Sequence, residues 1–242
     1  MNDESASRPL RGPARDQFLG LISHELRSPI AVILGFAARA RRQHGVSDEV
    51  ADALDEITRH AQLLQRIIED MLLLATASSS AAACEPVLVQ RELPRITGEF
   101  ERLNPGVSLT VTVPLDLPPV LAEPVYLQQM VHNFLTNATK YGGLASKVWV
   151  VASRDDVGSE SVRISVLDSG PGIPEAELSE VLQPFVRSAS TAQLARGVGL
   201  GLAVCKRMAE AQGGSIWLNN RPSGGLEAGF SLRTVEPSMH PS

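Results

Sequence analysis

The chain has 242 residues, enough for one large domain or for one domain and a smaller element. Hydrophobic residues make up 43% of it and aromatics only 4%, so an ordinary core is available but must rest on Leu, Val, Ile and Ala. A net charge of −5 supplies no basic field to displace phosphate counterions, which excludes a general nucleic-acid binder.

The polar start, residues 1–12, lacks the apolar core of a signal peptide and is expected to be a linker or disordered. A helical pattern follows. With Leu19 as heptad position a, the a/d stripe reads Leu19, Ile22, Leu26, Pro29, Ile33, Phe36 and Ala40, widened by Phe18, Leu21 and Ile30. His44-Gly45-Val46 reads as a turn, and Ser47 as the N-cap of a second helix that carries Asp48 and Glu49 in its first turn. That helix places Val50, Leu54, Ile57, Ala61, Leu64, Ile68, Met71 and Ala75 in alternating four-three steps. Two such helices on a short link predict an antiparallel hairpin over 13–78. A lone hairpin cannot cover both apolar faces, so a homodimer forming a four-helix bundle is expected.

Ala75 to Cys84 is a run of small residues, and Glu85-Pro86 ends helical character, so 79–85 reads as a linker. From 86 to 235 strands and helices alternate. Strands are predicted at 87–89, 107–113, 120–123, 146–154, 161–168, 215–219 and 226–234, the fourth and fifth joined as a hairpin through 156–159. Helices are predicted at 90–103, 124–140, 174–182 and 200–212, the last stopped by Gly213-Gly214, with 183–199 as a mobile loop and 236–242 as a disordered tail. No apolar run reaches the ~20 residues that span a bilayer. Cys84 and Cys205, with no C-x-x-C and no His pair at ligand spacing, read as reduced thiols of a cytoplasmic protein. The fold class is therefore α+β.

Three segments carry nucleotide chemistry. Asp168-Ser169-Gly170-Pro171-Gly172 follows an apolar strand; a carboxylate there can accept from the exocyclic amine of adenine, and the two glycines allow close backbone approach. Gly197-Val198-Gly199-Leu200-Gly201 precedes a helix whose N-terminal N–H groups suit a polyphosphate. Asn133 and Asn137, at i and i+4, put two amides on one helix face, where their oxygens can hold Mg²⁺, with Lys140 near phosphate and Tyr141 near the base. Singly, the first reads equally well as an acidic turn, the second can be a hinge, and a lone Asn pair is more often solvated surface.

In this order they resemble the ATP-binding domain of histidine kinases, in the wider group shared with Hsp90, MutL and DNA gyrase. Asn133-x-x-x-Asn137-x-x-Lys140-Tyr141 is similar to that family's N-box, and Asp168-x-Gly170-x-Gly172 to its first glycine box. Pro184-Phe185 is similar to its F-box, and Gly197-x-Gly199-Leu200-Gly201-Leu202 to its second glycine box. The resemblance implies an α/β sandwich binding ATP and Mg²⁺ under a lid near 183–199, with Arg187 and Arg196 able to reach phosphate. Hydrolysing relatives carry a Glu four residues before the metal-binding Asn. Here that position is Asn133, which cannot act as a base near neutral pH, so the pocket is expected to offer ATP to another acceptor.

His24 is the candidate acceptor: the heptad register places it at f, facing solvent, where a lone histidine would read as a surface residue but for the nucleotide segments downstream. A neutral imidazole presents one nitrogen as a nucleophile, and Glu25 can take the proton on the other. Pro29 has no N–H for the Glu25 carbonyl and is expected to loosen the helix one turn on. Phe18 to Pro29 resembles the family's H-box, which implies phosphorylation of His24, acid–base work by Glu25, and a response regulator's receiver domain as partner. Ser28 stands where relatives more often carry Thr, a site for positioning water in regulator dephosphorylation. His44, His60, His132 and His240 lack such a setting and read as structural or surface residues. The alternatives are a nucleotide-binding dimeric scaffold or phosphatase-dominant relative, to which the sparse lid with its single Gly197 points, and an ATPase or serine kinase of the wider group, against which Asn133 and the H-box count.

Overall fold

The computed structural model describes residues 13–43, 45–76, 83–142, 147–155, 160–190 and 197–235, with 13–25 and 75–76 as backbone only. The ends expected to be disordered, the 156–159 connection and Arg196 lie outside the described residues. The chain falls into two compact units that divide between Ser78 and Ser79.

The first unit is a helical hairpin of α1 (Pro13–Arg41) and α2 (Asp48–Thr76). Ser47 caps α2: its Oγ accepts from the Val50 N–H at 3.4 Å, and Asp48 and Glu49 occupy the positive end of the helix. Near the turn, Arg41 pairs with Asp55 at 3.2 Å. The buried seam is built from Ile30, Ala61 and Ile68, with Leu34 packed against them. All three core residues lie on the expected apolar stripes, of which the hairpin covers only part. Leu26, Ile33 and Phe36 on α1, and Val50, Ile57, Leu64 and Met71 on α2, stay exposed, Phe36 at 66%. Each helix is apolar over more than one face, and the hairpin buries only the flank that faces its own partner helix. α1 also runs unbroken through Pro29, despite the lost bond to the Glu25 carbonyl; Ile30, next in the chain, is held in the seam.

The second unit opens with β1 (Glu85–Val87), α3 (Val89–Leu103), β2 (Leu109–Thr112) and β3 (Val120–Ala122). It continues with α4 (Pro124–Gly142), β4 (Val148–Arg154), β5 (Ser161–Leu167), α5 (Gly201–Ala211), β6 (Ile216–Asn220) and β7 (Leu226–Arg233). β1 and β3 form a small antiparallel pair. The main sheet runs β2-β4-β5-β7-β6, with only β2 and β4 parallel. Strand alternation sends Val148, Val150 and Ala152 of β4, Val162, Ile164 and Val166 of β5, and Phe230 and Leu232 of β7 into the core. α3, α4 and α5 meet that core through Leu93, Leu127, Met130, Phe134, Leu135 and Met208, and the Phe134 and Phe230 rings lie 6.0 Å apart. Elsewhere on the sheet Arg163 stacks over Trp217 at 3.9 Å and Arg221 over Trp149 at 4.8 Å.

One expected helix is replaced. Residues 174–182 form two short 3₁₀ turns, Glu175–Glu177 and Glu180–Leu182. Nine residues are too few to nucleate an α-helix without strong packing. Among the described residues no helix is long and apolar enough to cross a membrane.

Candidate nucleotide site and phosphoacceptor helix

Asp168 sits just past the end of β5 and is only 8% exposed. Its backbone N–H donates to the Leu226 carbonyl at 2.9 Å. Its Oδ1 accepts from the Gly170 N–H at 2.8 Å and the Leu226 N–H at 3.1 Å. With Oδ1 satisfied by backbone donors, Oδ2 accepts no hydrogen bond among the described residues and is the atom left for a ligand's N–H.

The first glycine segment is pressed against the end of α4. A Cβ added at Gly170 would stand 3.0 Å from the Tyr141 carbonyl oxygen and 3.3 Å from the Gly142 Cα. The start of α5 is pressed against the middle of α4, where a Cβ at Gly201 would lie 3.8 Å from Asn133 Cγ. The segment holding Phe185 closes on the second glycine segment, the Phe185 N–H donating to the Gly199 carbonyl at 2.8 Å. Gly199 has φ +77° and Phe185 itself φ 67°, a left-handed backbone that a bulky residue adopts only under constraint; Phe185 is 59% exposed.

Thus the structure brings Asn133, Tyr141, Gly170, Phe185, Gly199 and Gly201 into one neighbourhood around α4. Asn137 lies half-buried one turn from Asn133, with Lys140 exposed on the next turn and Arg187 half-buried two residues after Phe185. Leu200, at the N-cap of α5, is buried and contributes no side-chain cap, so the N-terminal N–H groups of α5 are not capped by that residue. Gly197 is exposed with open space around it.

The Asn133 Nδ2 donates to the buried Cys205 Sγ at 3.6 Å, and Asn133 Oδ1 accepts no hydrogen bond among the described residues. No cluster of three or more His, Cys, Asp or Glu side chains capable of holding a metal occurs among them. A divalent ion here would therefore rest on amide oxygens, ligand phosphates and water, a donor set that suits Mg²⁺.

On α1, His24 and Glu25 lie in the helix with only their backbone described, and Ser28 is exposed one turn after His24. Sequence reasoning missed the residues that hold the pocket's frame: Cys205, Asn220, Arg221 and Gly225. Only the Gly224-Gly225 pair, a turn signal between two strands, could have pointed to that turn.

Comparison with known proteins agrees with this arrangement. Residues 122–236 match the family described as histidine kinase-, DNA gyrase B-, and HSP90-like ATPase, and residues 14–80 match the His Kinase A (phospho-acceptor) domain. The adaptive-response sensory kinase SasA of Synechococcus sp. (strain CC9311) is 32% identical over 232 residues, which cover 90% of this chain and 57% of SasA. The protein named probable sensor histidine kinase TcrY, of Mycobacterium tuberculosis, is 31% identical over 208 residues, 85% of this chain and 43% of TcrY. Full-length ShkA, solved in complex with AMPPNP, is 27% identical with a TM-score of 0.74, over 91% of this chain and 46% of ShkA. The chain thus spans about half the length of the curated relatives it matches. With both domain families matched in this order, the chain belongs to the sensor histidine kinases.

Proposed function

We propose that the chain is the catalytic core of a two-component kinase acting in the cytoplasm. It binds ATP in the unit after Ser79, moves the γ-phosphate to His24, and passes it to an aspartate of a response regulator. The observation that carries this reading is the convergence on α4 of segments far apart in sequence: Gly170 against Tyr141, Gly201 against Asn133, and Gly199 tied to Phe185. The AMPPNP complex of ShkA supports the same ligand class.

Asp168 Oδ2 accepts from the adenine amine, while guanine would bring a carbonyl oxygen to the same place and be repelled. The α5 N-terminus, Lys140 and the arginines Arg187 and Arg196 take the polyphosphate. Asn133 and Asn137 hold Mg²⁺, which neutralises charge on the phosphates when bound. One imidazole nitrogen of His24 forms a bond to the γ-phosphorus as the bond from that phosphorus to the β–γ bridging oxygen breaks and ADP leaves. Glu25 takes up the proton on the other nitrogen. Asn133, neutral where hydrolysing relatives have a Glu, leaves water unactivated.

Ser28 is the candidate for positioning water when a phosphorylated regulator is dephosphorylated. The exposed stripe of Ile33, Phe36, Val50, Ile57, Leu64 and Met71 supports a homodimer that covers it as a four-helix bundle.

The test is incubation with γ-labelled ATP and Mg²⁺, beside His24→Ala and Asn137→Ala. An acid-labile, base-stable label, absent from both variants, is expected. Nucleotide binding without label would favour a signalling scaffold or phosphatase, and a label retained in His24→Ala would mean another acceptor.

A further inference from the structure

The base-recognition segment, Asp168 to Ile173, is held from one side by a turn that belongs to none of the sequence motifs. At one end, Asn220 makes a two-bond clamp on a single residue. The Ile173 N–H donates to Asn220 Oδ1 at 2.9 Å, and Asn220 Nδ2 donates to the Ile173 carbonyl at 2.6 Å. At the other end, the Arg221 guanidinium donates to the Asp168 carbonyl while stacking over Trp149. The turn itself is closed by the Arg221 N–H donating to the Gly225 carbonyl at 2.9 Å. Gly225 has φ +95°, and a Cβ there would stand 2.0 Å from the Asp168 carbonyl oxygen, so the two backbones are in direct contact. Gly172, at φ +73°, likewise leaves room for the Asn220 amide, which a Cβ would meet at 2.5 Å.

We infer that Asn220 and Arg221 are positioning residues for this segment, and that discrimination between adenine and guanine depends on them. The inference rests on the nucleotide reading of the site. Asp168 discriminates only if its Oδ2 is fixed in place: a held carboxylate rewards an amine and repels a carbonyl, while one that can swing away does neither. Asp168 Oδ1 is fixed by Gly170, within the segment, and by Leu226, at the start of β7 beside the turn, the two parts that Asn220 and Arg221 tie together. Loosening the clamp therefore loses adenine its hydrogen bond and relieves guanine of its clash. A purely structural role would weaken both nucleotides alike.

The experiment is calorimetric titration of the full chain with MgADP and with MgGDP, for the wild type, Asn220→Ala and Arg221→Gln. Backbone hydrogen exchange is followed over residues 168–173. In each folded variant ADP affinity is expected to fall about tenfold while GDP affinity stays or rises, with faster exchange at Ile173 in Asn220→Ala. A preference for ADP that survives in the variants, or an equal loss for both nucleotides, overturns the clamp and leaves the nucleotide site standing. A wild type that binds neither nucleotide overturns the site and the clamp with it. If Asn220→Ala does not fold, Arg221→Gln, at a half-buried turn position, decides the matter.

Discussion

Asn133 points its side-chain NH₂ at the thiol of Cys205 across the contact between α4 and α5, Nδ2 to Sγ at 3.6 Å. Cys205 is fully buried, where cysteine ordinarily behaves as a small hydrophobe. Packing alone would make valine its best replacement and serine its worst. The hydrogen bond reverses that order, because sulfur holding the NH₂ leaves the Asn133 oxygen as the end presented to a ligand. The tightening of ADP binding by Mg²⁺ is expected to stay within about twofold in Cys205→Ser and to weaken about fivefold in Cys205→Val, the worth of roughly 1 kcal/mol for one net hydrogen bond. Titration of ADP with and without Mg²⁺ reads this directly, and the opposite ranking would reduce Cys205 to packing.

The two lid-side glycines separate cleanly. Gly199 has φ +77°, and a Cβ there would stand 2.7 Å from the Val186 carbonyl oxygen, whereas Gly197 has nothing within 4 Å. Gly199→Ala forces a left-handed backbone on an L side chain, at about 1–3 kcal/mol, and pushes apart the two segments joined by the Phe185–Gly199 bond. Phosphorylation of His24 by ATP is expected to drop about tenfold in Gly199→Ala and to stay within about twofold in Gly197→Ala. Equal rates in both would mean that this junction does not serve the reaction.

The motif residues were legible because each needs a particular side chain or none: Asp168 for its carboxylate, Gly199 for its φ, Asn133 and Asn137 for their spacing. The strands from β4 to β7 were legible because their alternation is regular. What escaped was the frame. Asn220 and Arg221 act on residues 47 and 53 positions away, and no local periodicity encodes such a pairing. In the hairpin, Ile30, Ala61 and Ile68 were on the expected stripes, but which part of each stripe faces the partner helix was not legible. With apolar residues at a, d and e of the same helix, the pattern fixes that α1 is amphipathic but not which flank meets α2. The 174–182 segment was misjudged because its few apolar residues fit a helix without showing that one has length enough to form.

That seam also divides the hairpin's residues by role. Ile68 is buried between the helices, while Ile57 and Phe36 lie on the exposed stripe. Ile68→Ala is expected to destabilise the hairpin by about 2–4 kcal/mol through the cavity it leaves. Ile57→Glu and Phe36→Glu are expected to preserve helicity but weaken self-association more than about tenfold, since each buries a charge in the proposed bundle. Sedimentation velocity with far-UV circular dichroism distinguishes the two effects. A monomeric wild type would remove the dimer from the proposal.

Asp70 gives the hairpin a pH dependence of its own. It is buried near the end of α2, and that burial raises its pKa from 3.8 to about 6, outweighing the pull of Arg66; Glu69 adds a smaller push upward. Between those two values the folded state holds a proton that the unfolded state has released, so stability is fully present below the lower value. It declines as pH rises towards 6 and is flat beyond. Other carboxylates titrate over the same range, so the informative quantity is a difference. Asp70→Asn keeps the shape and carries no charge to bury. It is expected to match the wild type near about pH 4 and to unfold at a higher temperature near about pH 7.5, with the gap opening between roughly pH 4 and 6. Thermal unfolding followed by circular dichroism across that range measures the gap. A gap that is constant with pH would show that the Asp70 carboxyl titrates alike in the folded and unfolded chain, its burial offset by a partner.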